Sequence, residues 1–171
     1  MKTTTTLLLT LTIIITAACG VGGAKGLFEQ AQDLEKQGKH AEALELYEQL
    51  VREHPKSDEA PEALYQSAVL YYNIQKDPLK AATTYERVYD SYPESGVAHK
   101  GLFAAGFTYA NEIGNIERAR QAYERYLKLF PDSSMAETAR FELEHLGQTP
   151  EQILENLQKN TPPEPLVDEG Q

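Results

Sequence analysis

The chain has no tryptophan, only one cysteine and a deficit of basic residues. The cysteine is Cys19, so no disulfide can form within the chain. It has 16 lysine and arginine residues and 26 aspartate and glutamate residues, which gives a formal net charge of −10 at pH 7. Because an acidic chain repels phosphate backbones, we expect no nucleic-acid partner. The length of 171 residues favours one domain with tails.

Motifs of enzymes, metal sites and cofactor sites are also missing. No two of the histidines have the i,i+4 spacing of a metal-ligand pair; they are His40, His54, His99 and His145. The glycines at 20–23 follow an apolar segment and not a strand, so we interpret them as a linker and not as a phosphate-binding loop. The sequence contains no GxSxG nucleophile motif. We therefore predict a non-enzymatic protein with no metal and no cofactor.

The N-terminus has the layout of a secretory signal peptide over residues 1–18. Lys2 supplies a positive charge, residues 7–15 are mostly apolar, and the small residues Ala17 and Ala18 precede Cys19. The apolar run is shorter than the about 20 residues that span a bilayer. An uncleaved N-terminal anchor is the alternative.

The segment Thr16-Ala17-Ala18-Cys19-Gly20 resembles a bacterial lipobox. The resemblance implies cleavage before Cys19 and lipid attachment to it, although Thr16 stands where that motif prefers leucine. Gly20 replaces the aspartate associated with inner-membrane retention in enteric bacteria, so the expected location is periplasmic, attached to the outer membrane by the lipid anchor. Residues 19–26 would be the linker that carries the lipidated cysteine. The alternative is an ordinary signal peptide cut near Ala18 or Ala24.

Several residue classes recur at a spacing of 38, which indicates a repeat solenoid. They are Ala43, Ala81 and Ala119; Tyr47, Tyr85 and Tyr123; Pro55, Pro93 and Pro131; Ser57, Ser95 and Ser133; Ala60, Ala98 and Ala136; and Tyr65, Phe103 and Phe141. Each alanine lies one helical turn before a tyrosine, so a small and a large side chain share one helix face. The proline ends that helix, and the serine is predicted to cap the next one.

Turn signals divide each repeat into two helices. Gly38, Asp77-Pro78 and Gly114 mark the turns, with Asp77 as the predicted cap and Pro78 as the first helical residue. Thr149 and Pro150 predict the start of a last helix in the same way. Glu48 and Arg52 are spaced for an i,i+4 ion pair on a solvated face. The predicted helices are 24–37, 40–53, 58–75, 78–91, 96–112, 116–129, 134–146 and 150–159, with no sheet.

The alanine, the aromatic residue four positions later and the proline twelve positions after the alanine resemble the tetratricopeptide repeat. Leu27, Tyr65 and Phe103 hold the first aromatic position of the first helices. The resemblance implies an all-α, right-handed superhelical solenoid of three helix pairs plus a C-terminal capping helix, over residues 27–147. Residues 148–160 would form a short C-terminal helix and residues 161–171 a disordered acidic tail. The period exceeds the usual 34 residues, as in periplasmic repeat proteins of the Tol–Pal-associated and β-barrel assembly lipoprotein types.

The family resemblance implies that partners bind the concave face, lined by the first helix of each unit. The corresponding positions are Phe28, Gln32 and Glu35 in unit one, Gln66, Leu70 and Asn73 in unit two, and Ala104, Thr108 and Asn111 in unit three. Asn73 and Asn111 occupy the same repeat position, where their amides would bond an extended peptide backbone; the alternative is that they favour the end of the helix. The lysine, arginine and asparagine clamp of chaperone-tail-binding members is absent.

The expected function is therefore a non-enzymatic protein-protein interaction scaffold, anchored to the membrane as a lipoprotein of the bacterial cell envelope. Its expected partners are envelope proteins or extended peptide segments. The alternatives are a subunit of the outer-membrane protein assembly machinery and an accessory of an envelope enzyme.

Overall fold

The computed structural model describes residues 23–160, and this part of the chain is helical with no strand. The helices are α1 (Ala24–Lys36), α2 (His40–Glu53), α3 (Ala60–Asn73), α4 (Pro78–Ser91), α5 (Ala98–Thr108), α6 (Ile116–Leu129), α7 (Ala136–Glu144) and α8 (Pro150–Asn160). A π-helical turn, Tyr109–Ile113, continues α5. The all-α solenoid is confirmed, whereas residues 1–18, Cys19 and residues 161–171 lie outside the described part.

Each helix from α1 to α7 packs against its neighbour in the chain, which produces three helix pairs in series followed by α7. The alanine and tyrosine of each second helix are buried, as the pattern predicted; Ala43, Ala81 and Ala119 are fully buried. Because alanine adds only a methyl group, the helix opposite can approach closely, and the tyrosine ring fills the space beside it.

Units two and three bury equivalent positions. The buried side of α3 recurs 38 residues later in α5 and the π-helical turn. The first set is Ala60, Ala63, Leu64, Ser67, Ala68, Leu70 and Tyr71, and the second is Ala98, Gly101, Leu102, Ala105, Gly106, Thr108 and Tyr109. The 38-residue period therefore describes the packing of these two units and not only their sequence.

Unit one departs from this register by one residue. The ring of Phe28 contacts Tyr47 at 5.6 Å between centroids, as Tyr65 contacts Tyr85 at 5.4 Å and Phe103 contacts Tyr123 at 5.7 Å. Phe28 and not Leu27 therefore holds the first aromatic position, so that part of the prediction was wrong. Leu27 is buried in the core instead.

The cause of the shift is the length of the turn between the two helices of each unit. In unit one the N–H of Lys39 donates to the carbonyl oxygen of Leu34, five residues back. In units two and three the equivalent bonds run from Asp77 to Tyr71 and from Asn115 to Tyr109, six residues back. In unit three the π-helical turn holds the extra residue.

Two positions before each second helix begins, the backbone is left-handed, with φ of 75° at Gly38, 54° at Lys76 and 71° at Gly114. The turns predicted at Gly38 and Gly114 are confirmed, since glycine adopts this conformation without a Cβ clash. The predicted cap is also confirmed, because the Asp77 side chain accepts from the N–H of Lys80 at 2.9 Å. Asn115 does the same for Arg118 at 3.0 Å. Thr149 accepts from the N–H of Gln152 at the start of α8.

The predicted serine caps were wrong. Helices α3, α5 and α7 begin after Glu59, Val97 and Met135, and none of these residues provides a side-chain cap. Each serine instead belongs to an extra turn between units: the N–H of Ser57 donates to the carbonyl of His54, and the carbonyl of Ser57 accepts from Ala60. This turn, which repeats at Ser95 and Ser133, makes α3, α5 and α7 shorter than predicted.

The linker predicted at residues 19–26 is also shorter, since α1 already begins at Ala24. In α1, Leu27 and Ala31 are buried like their equivalents Leu64 and Ala68 in α3, but Gln30 and Asp33 are exposed where α3 buries Ser67 and Leu70. At the other end, α7 carries the exposed Arg140 and Glu144 where α5 buries Leu102 and Gly106. Polar ends of this kind close a solenoid against further stacking.

Gly101→Ala tests the close approach of α4 and α5. A Cβ at Gly101 would lie 2.7 Å from the carbonyl oxygen of Tyr85 and 3.0 Å from the Cβ of Val88. Since a backbone oxygen cannot move without displacing α4, we expect a destabilisation of about 1–3 kcal/mol in urea denaturation of the full chain. Gly96→Ala is the control, because nothing lies within 4 Å of its added Cβ. A Gly101→Ala protein as stable as this control would contradict the packing.

Candidate protein-binding surface

An aromatic row runs through the three units, at the contacts between the first and second helices. It consists of the ring pairs Phe28–Tyr47, Tyr65–Tyr85 and Phe103–Tyr123. Phe103 also contacts Tyr126 at 5.8 Å between centroids. We call a surface next to this row the groove face. Three of its residues line one cavity: Tyr72, Ala104 and Phe107. Its polar residues bond to or act on the tyrosines of the row and the cavity, directly or through one another: Glu35, Glu62, Gln66, Glu112 and Glu142.

A cavity of about 200 Å³ opens on the groove face between α3 and α5. Its lining is almost entirely apolar or aromatic: Tyr72, Tyr85, Phe103, Ala104, Phe107 and Thr108. Phe107 is 39% exposed, so part of its ring is accessible to a partner at the cavity. An apolar cavity with an exposed ring is suited to hold an apolar side chain of a partner.

The predicted binding residues separate into exposed and buried ones. Phe28, Glu35, Gln66 and Ala104 are half-buried, and Gln32, Asn73 and Asn111 are exposed. Leu70 and Thr108 are only 3% and 2% exposed: Leu70 belongs to the core, and Thr108 lies at the bottom of the cavity lining. Thr108 lies beside Tyr72 and Tyr85 in the cavity lining, so it faces the preceding unit.

Because of the one-residue shift of unit one, the predicted binding residues of unit one are not equivalent to those of units two and three. Phe28, Gln32 and Glu35 correspond to Tyr65, Val69 and Tyr72, and not to Gln66, Leu70 and Asn73. Tyr72 is the more informative position, because it lines the cavity and its hydroxyl donates to Glu112 at 2.6 Å. The side-chain amide of Asn111 donates to the carbonyl of Phe107 at 3.1 Å, within its own helix.

The carboxylates of the groove face bond to uncharged groups. Glu35 accepts from the Tyr47 hydroxyl at 2.6 Å, Glu62 accepts from the amide of Gln66 at 2.8 Å, and Glu112 accepts from Tyr72. Burial, and then the hydrogen bond to Glu35, raises the pKa of Tyr47 well above its usual value. In the described part of the chain, none of these three carboxylates has a lysine or arginine nitrogen within 4 Å.

Two other glutamates, Glu48 and Glu86, lie on the second helices of units one and two. Each belongs to a set of a glutamate, a tyrosine and a cation, and we call the two sets the tyrosine ladder. Tyr71 donates to Glu48, and Lys80 lies over the Tyr71 ring at 4.1 Å. One unit on, Tyr109 donates to Glu86 at 3.0 Å, and Arg118 bonds Glu86 at 3.3 Å while it lies over the Tyr109 ring. Here each carboxylate accepts from a tyrosine hydroxyl whose ring lies beneath a cation, and Glu86 also forms an ion pair with that cation, Arg118.

The ladder replaces the ion pair predicted between Glu48 and Arg52. Glu48 bonds Tyr71 on the next helix, whereas Arg52 lies 3.5 Å from Glu53. The prediction failed because it considered only residues on one helix. The sequence does contain the signal, since the glutamate, the tyrosine and the cation all recur at the 38-residue spacing, as Glu48, Tyr71 and Lys80 and as Glu86, Tyr109 and Arg118.

The part of the chain from residue 23 to 160 contains no group of three or more His, Cys, Asp or Glu side chains that could hold a metal ion. His145 instead stacks on Phe141, with 4.2 Å between ring centroids. Phe141, the repeat equivalent of Phe103, is 47% exposed.

Comparison with protein families finds two matches, and both are described as tetratricopeptide repeat. One covers residues 28–96 and the other covers residues 101–133. Together they span more than half of the chain and include the aromatic row, the cavity and the ladder. A comparison with curated proteins finds no match.

Tyr109→Phe tests the ladder through its pH dependence. Burial, and then the charge of Glu86, raises the pKa of Tyr109 from 10.0 to about 12. The folded state therefore holds this proton more tightly than the unfolded state, so stability falls between about pH 10 and pH 12, by at most about 1.4 kcal/mol per pH unit. We expect Tyr109→Phe to be about 1 kcal/mol less stable at pH 7 and to lose less stability in that alkaline range.

The measurement is urea denaturation of both proteins at pH 7, 10, 11 and 12. The comparison between the two proteins removes the contribution of the other tyrosines. An identical alkaline loss of stability in both would contradict the role assigned to the Tyr109 hydroxyl.

Proposed function

Because the chain belongs to the tetratricopeptide repeat family, we propose that it is a lipid-anchored scaffold of the bacterial cell envelope. Tetratricopeptide domains mediate protein-protein interactions, so its partners are proteins. The finer assignment is that these partners are envelope proteins or extended segments of them. They would be held at the periplasmic side of the outer membrane.

The groove face is the surface that we assign to the partner. It combines an apolar cavity, the exposed ring of Phe107 and polar groups at its edge, which is the composition of a binding site for an extended chain. Stacked repeats produce such elongated surfaces because each unit adds a similar strip. We assign the groove face to the recognition of a partner, since the residues that line its cavity include no nucleophile paired with a base.

Cys19 is the observation that carries the envelope assignment. It is the chain's only cysteine, and it follows an apolar segment and two alanines in a lipobox-like context. Within residues 23–160, no helix is both long and apolar enough to cross a membrane. A single acyl chain binds membranes only weakly, so stable anchoring at Cys19 needs more than one.

The short distance between Cys19 and the repeats gives the proposal a geometric consequence. Helix α1 begins at Ala24, and an extended chain advances at most about 3.6 Å per residue, so the linker reaches no further than about 18 Å. A lipid at Cys19 would therefore hold unit one next to the headgroups. Partners would then be recruited close to the membrane surface and not at a distance from it.

Cys19→Ser tests the anchor. Cells that express the full chain are labelled with radioactive palmitate and separated into membrane and soluble periplasmic fractions. We expect the parent protein to carry label and to remain with the outer membrane, and Cys19→Ser to lose the label and move to the soluble fraction. Gly96→Ala, which changes an exposed turn far from Cys19 in sequence, should behave as the parent. A parent protein without label, or with an unmodified Cys19 by mass spectrometry, would contradict the anchor.

The partner class is tested by chemical crosslinking in the native host and purification of the full chain. We expect envelope proteins among the crosslinked products, and recovery of none would count against the scaffold. Depletion of the protein separates the two envelope roles. Reduced levels of outer-membrane barrels would favour the assembly subunit, and unchanged levels would exclude it.

A further inference from the structure

Another cavity lies outside the groove face, between the second helices α2 and α4. It has a volume of about 410 Å³, and none of its lining residues belongs to the groove face. Helix α2 contributes Glu48, Val51 and Arg52, and α4 contributes Thr84 and Arg87. Thr84 and the lining residues from α3 are buried, so they form the bottom of the cavity. The two arginines are exposed and lie at its rim.

The next unit fills the equivalent space with its own side chains. At the 38-residue spacing, Arg125 takes the place of Arg87. Arg125 bonds the Asp90 carboxylate at 2.6 Å and lies over the Tyr89 ring, 4.6 Å from the ring centroid. Between α4 and α6, an ion pair on an aromatic ring therefore occupies the position of the cavity.

Two residues of α2 prevent the same arrangement between units one and two. Arg52 stands where α4 has Asp90, and Val51 stands where α4 has Tyr89. The carboxylate that would pair with Arg87 is therefore missing, and the smaller valine leaves space beside it. Among residues 23–160, no carboxylate oxygen lies within 4 Å of Arg87.

Arg52 adds a second guanidinium group to the rim. It lies 3.5 Å from Glu53, and both side chains are exposed, so this ion pair contributes little and leaves Arg52 available. Glu48 is the one carboxylate among the described residues that line the cavity, and it already accepts from the Tyr71 hydroxyl. The cavity therefore has two guanidinium groups for one carboxylate, in a chain whose formal net charge is −10.

We propose that the cavity between α2 and α4 binds an aspartate or glutamate side chain of a protein partner. The partner's carboxylate pairs with Arg87 in the way that Asp90 pairs with Arg125. Arg52 contacts the same carboxylate from α2. Guanidinium groups bond carboxylates through two parallel N–H donors, which makes arginine suited to this recognition. The inference rests on the proposed function, because it names a chemical group of the protein partner.

The buried hydroxyls at the bottom of the cavity leave this recognition to the arginines. The Ser67 hydroxyl donates to the carbonyl of Ala63 at 2.9 Å, and the Thr84 hydroxyl donates to the carbonyl of Lys80 at 2.7 Å. Their hydrogens are thus used within α3 and α4. The donors that the lining offers to a carboxylate are the N–H groups of the two arginines at the rim.

Arg52→Asp directs the experiment to this cavity. The substitution gives α2 the residue that α4 has at position 90, so the new carboxylate pairs with Arg87 and closes the site from within the chain. Random peptides of about 12 residues, each up to about 40 Å long, are displayed and selected on the purified full chain in detergent. Peptides that also bind the Arg52→Asp protein are removed. We expect the remaining peptides to be enriched in aspartate or glutamate.

Single substitutions then locate the acidic side chain of a selected peptide. Arg87→Gln and Arg52→Gln should each weaken its binding about tenfold, as for the loss of one partner of a close charge pair. Exchange of the peptide's acid for its amide should weaken binding to the parent protein about tenfold as well. The same exchange should have little effect on binding to Arg87→Gln, because substitutions of two groups in contact are not additive.

Arg120→Gln is the matched control and should leave the affinity unchanged. This exposed arginine of α6 does not line the cavity and, like Arg87, has no carboxylate oxygen within 4 Å among residues 23–160. Circular dichroism of every variant verifies that the helices are retained.

The outcomes separate this inference from the proposed function. Remaining peptides without acidic residues, acidic peptides unaffected by Arg87→Gln, or no remaining peptide at all would each overturn the inference. Displacement of the peptide by inorganic phosphate at a concentration where acetate has no effect would assign the cavity to a phosphate group and overturn the carboxylate. In all of these cases the envelope role is still decided by the Cys19 label and the crosslinked partners, which do not require this cavity.

Discussion

The structure depends on the packing of an alanine and a tyrosine that lie on the second helix of each unit. Ala43, Ala81 and Ala119 are fully buried and let the helices of neighbouring units approach, and Tyr47, Tyr85 and Tyr123 fill the space that remains. Burial of one aromatic side chain stabilises a fold by about 1.5–3 kcal/mol. Because these contacts repeat, each unit is stabilised by its neighbours, and the polar sides of α1 and α7 end the series.

Buried tyrosines also determine how charge is distributed. A tyrosine ring packs in the core, but its hydroxyl needs a hydrogen-bond acceptor. In the ladder the acceptors are Glu48 and Glu86, and Arg118 forms an ion pair with Glu86. On the groove face the acceptors are Glu35 and Glu112, whose charge has no such partner. The same packing rule therefore places a carboxylate beside a tyrosine hydroxyl on both surfaces, and among residues 23–160 only Glu86 of these four also has a cation within 4 Å.

Sequence reasoning found the helices, the turns at Gly38 and Gly114 and the cap at Asp77 because these depend on local residues. It failed where spacing alone was used across a turn of variable length. Leu27 was taken for Phe28, since a single residue less in the first turn rotates α1 by about 100°. Leu70 and Thr108 were predicted to be accessible to a partner, but which side of a helix is buried depends on the helices packed against it. The ladder was missed because its members lie on three different helices.

The central claim is that partners bind the groove face, and photo-crosslinking in the native host tests it most directly. Phe107 on the groove face and Leu129 at the end of α6 are both 39% exposed, so they offer equally accessible positions. A photoreactive amino acid at position 107 should crosslink to one or a few defined envelope proteins, and at position 129 it should not. Equal crosslinking at the two positions, or crosslinking only at 129, would contradict the assignment of the groove face.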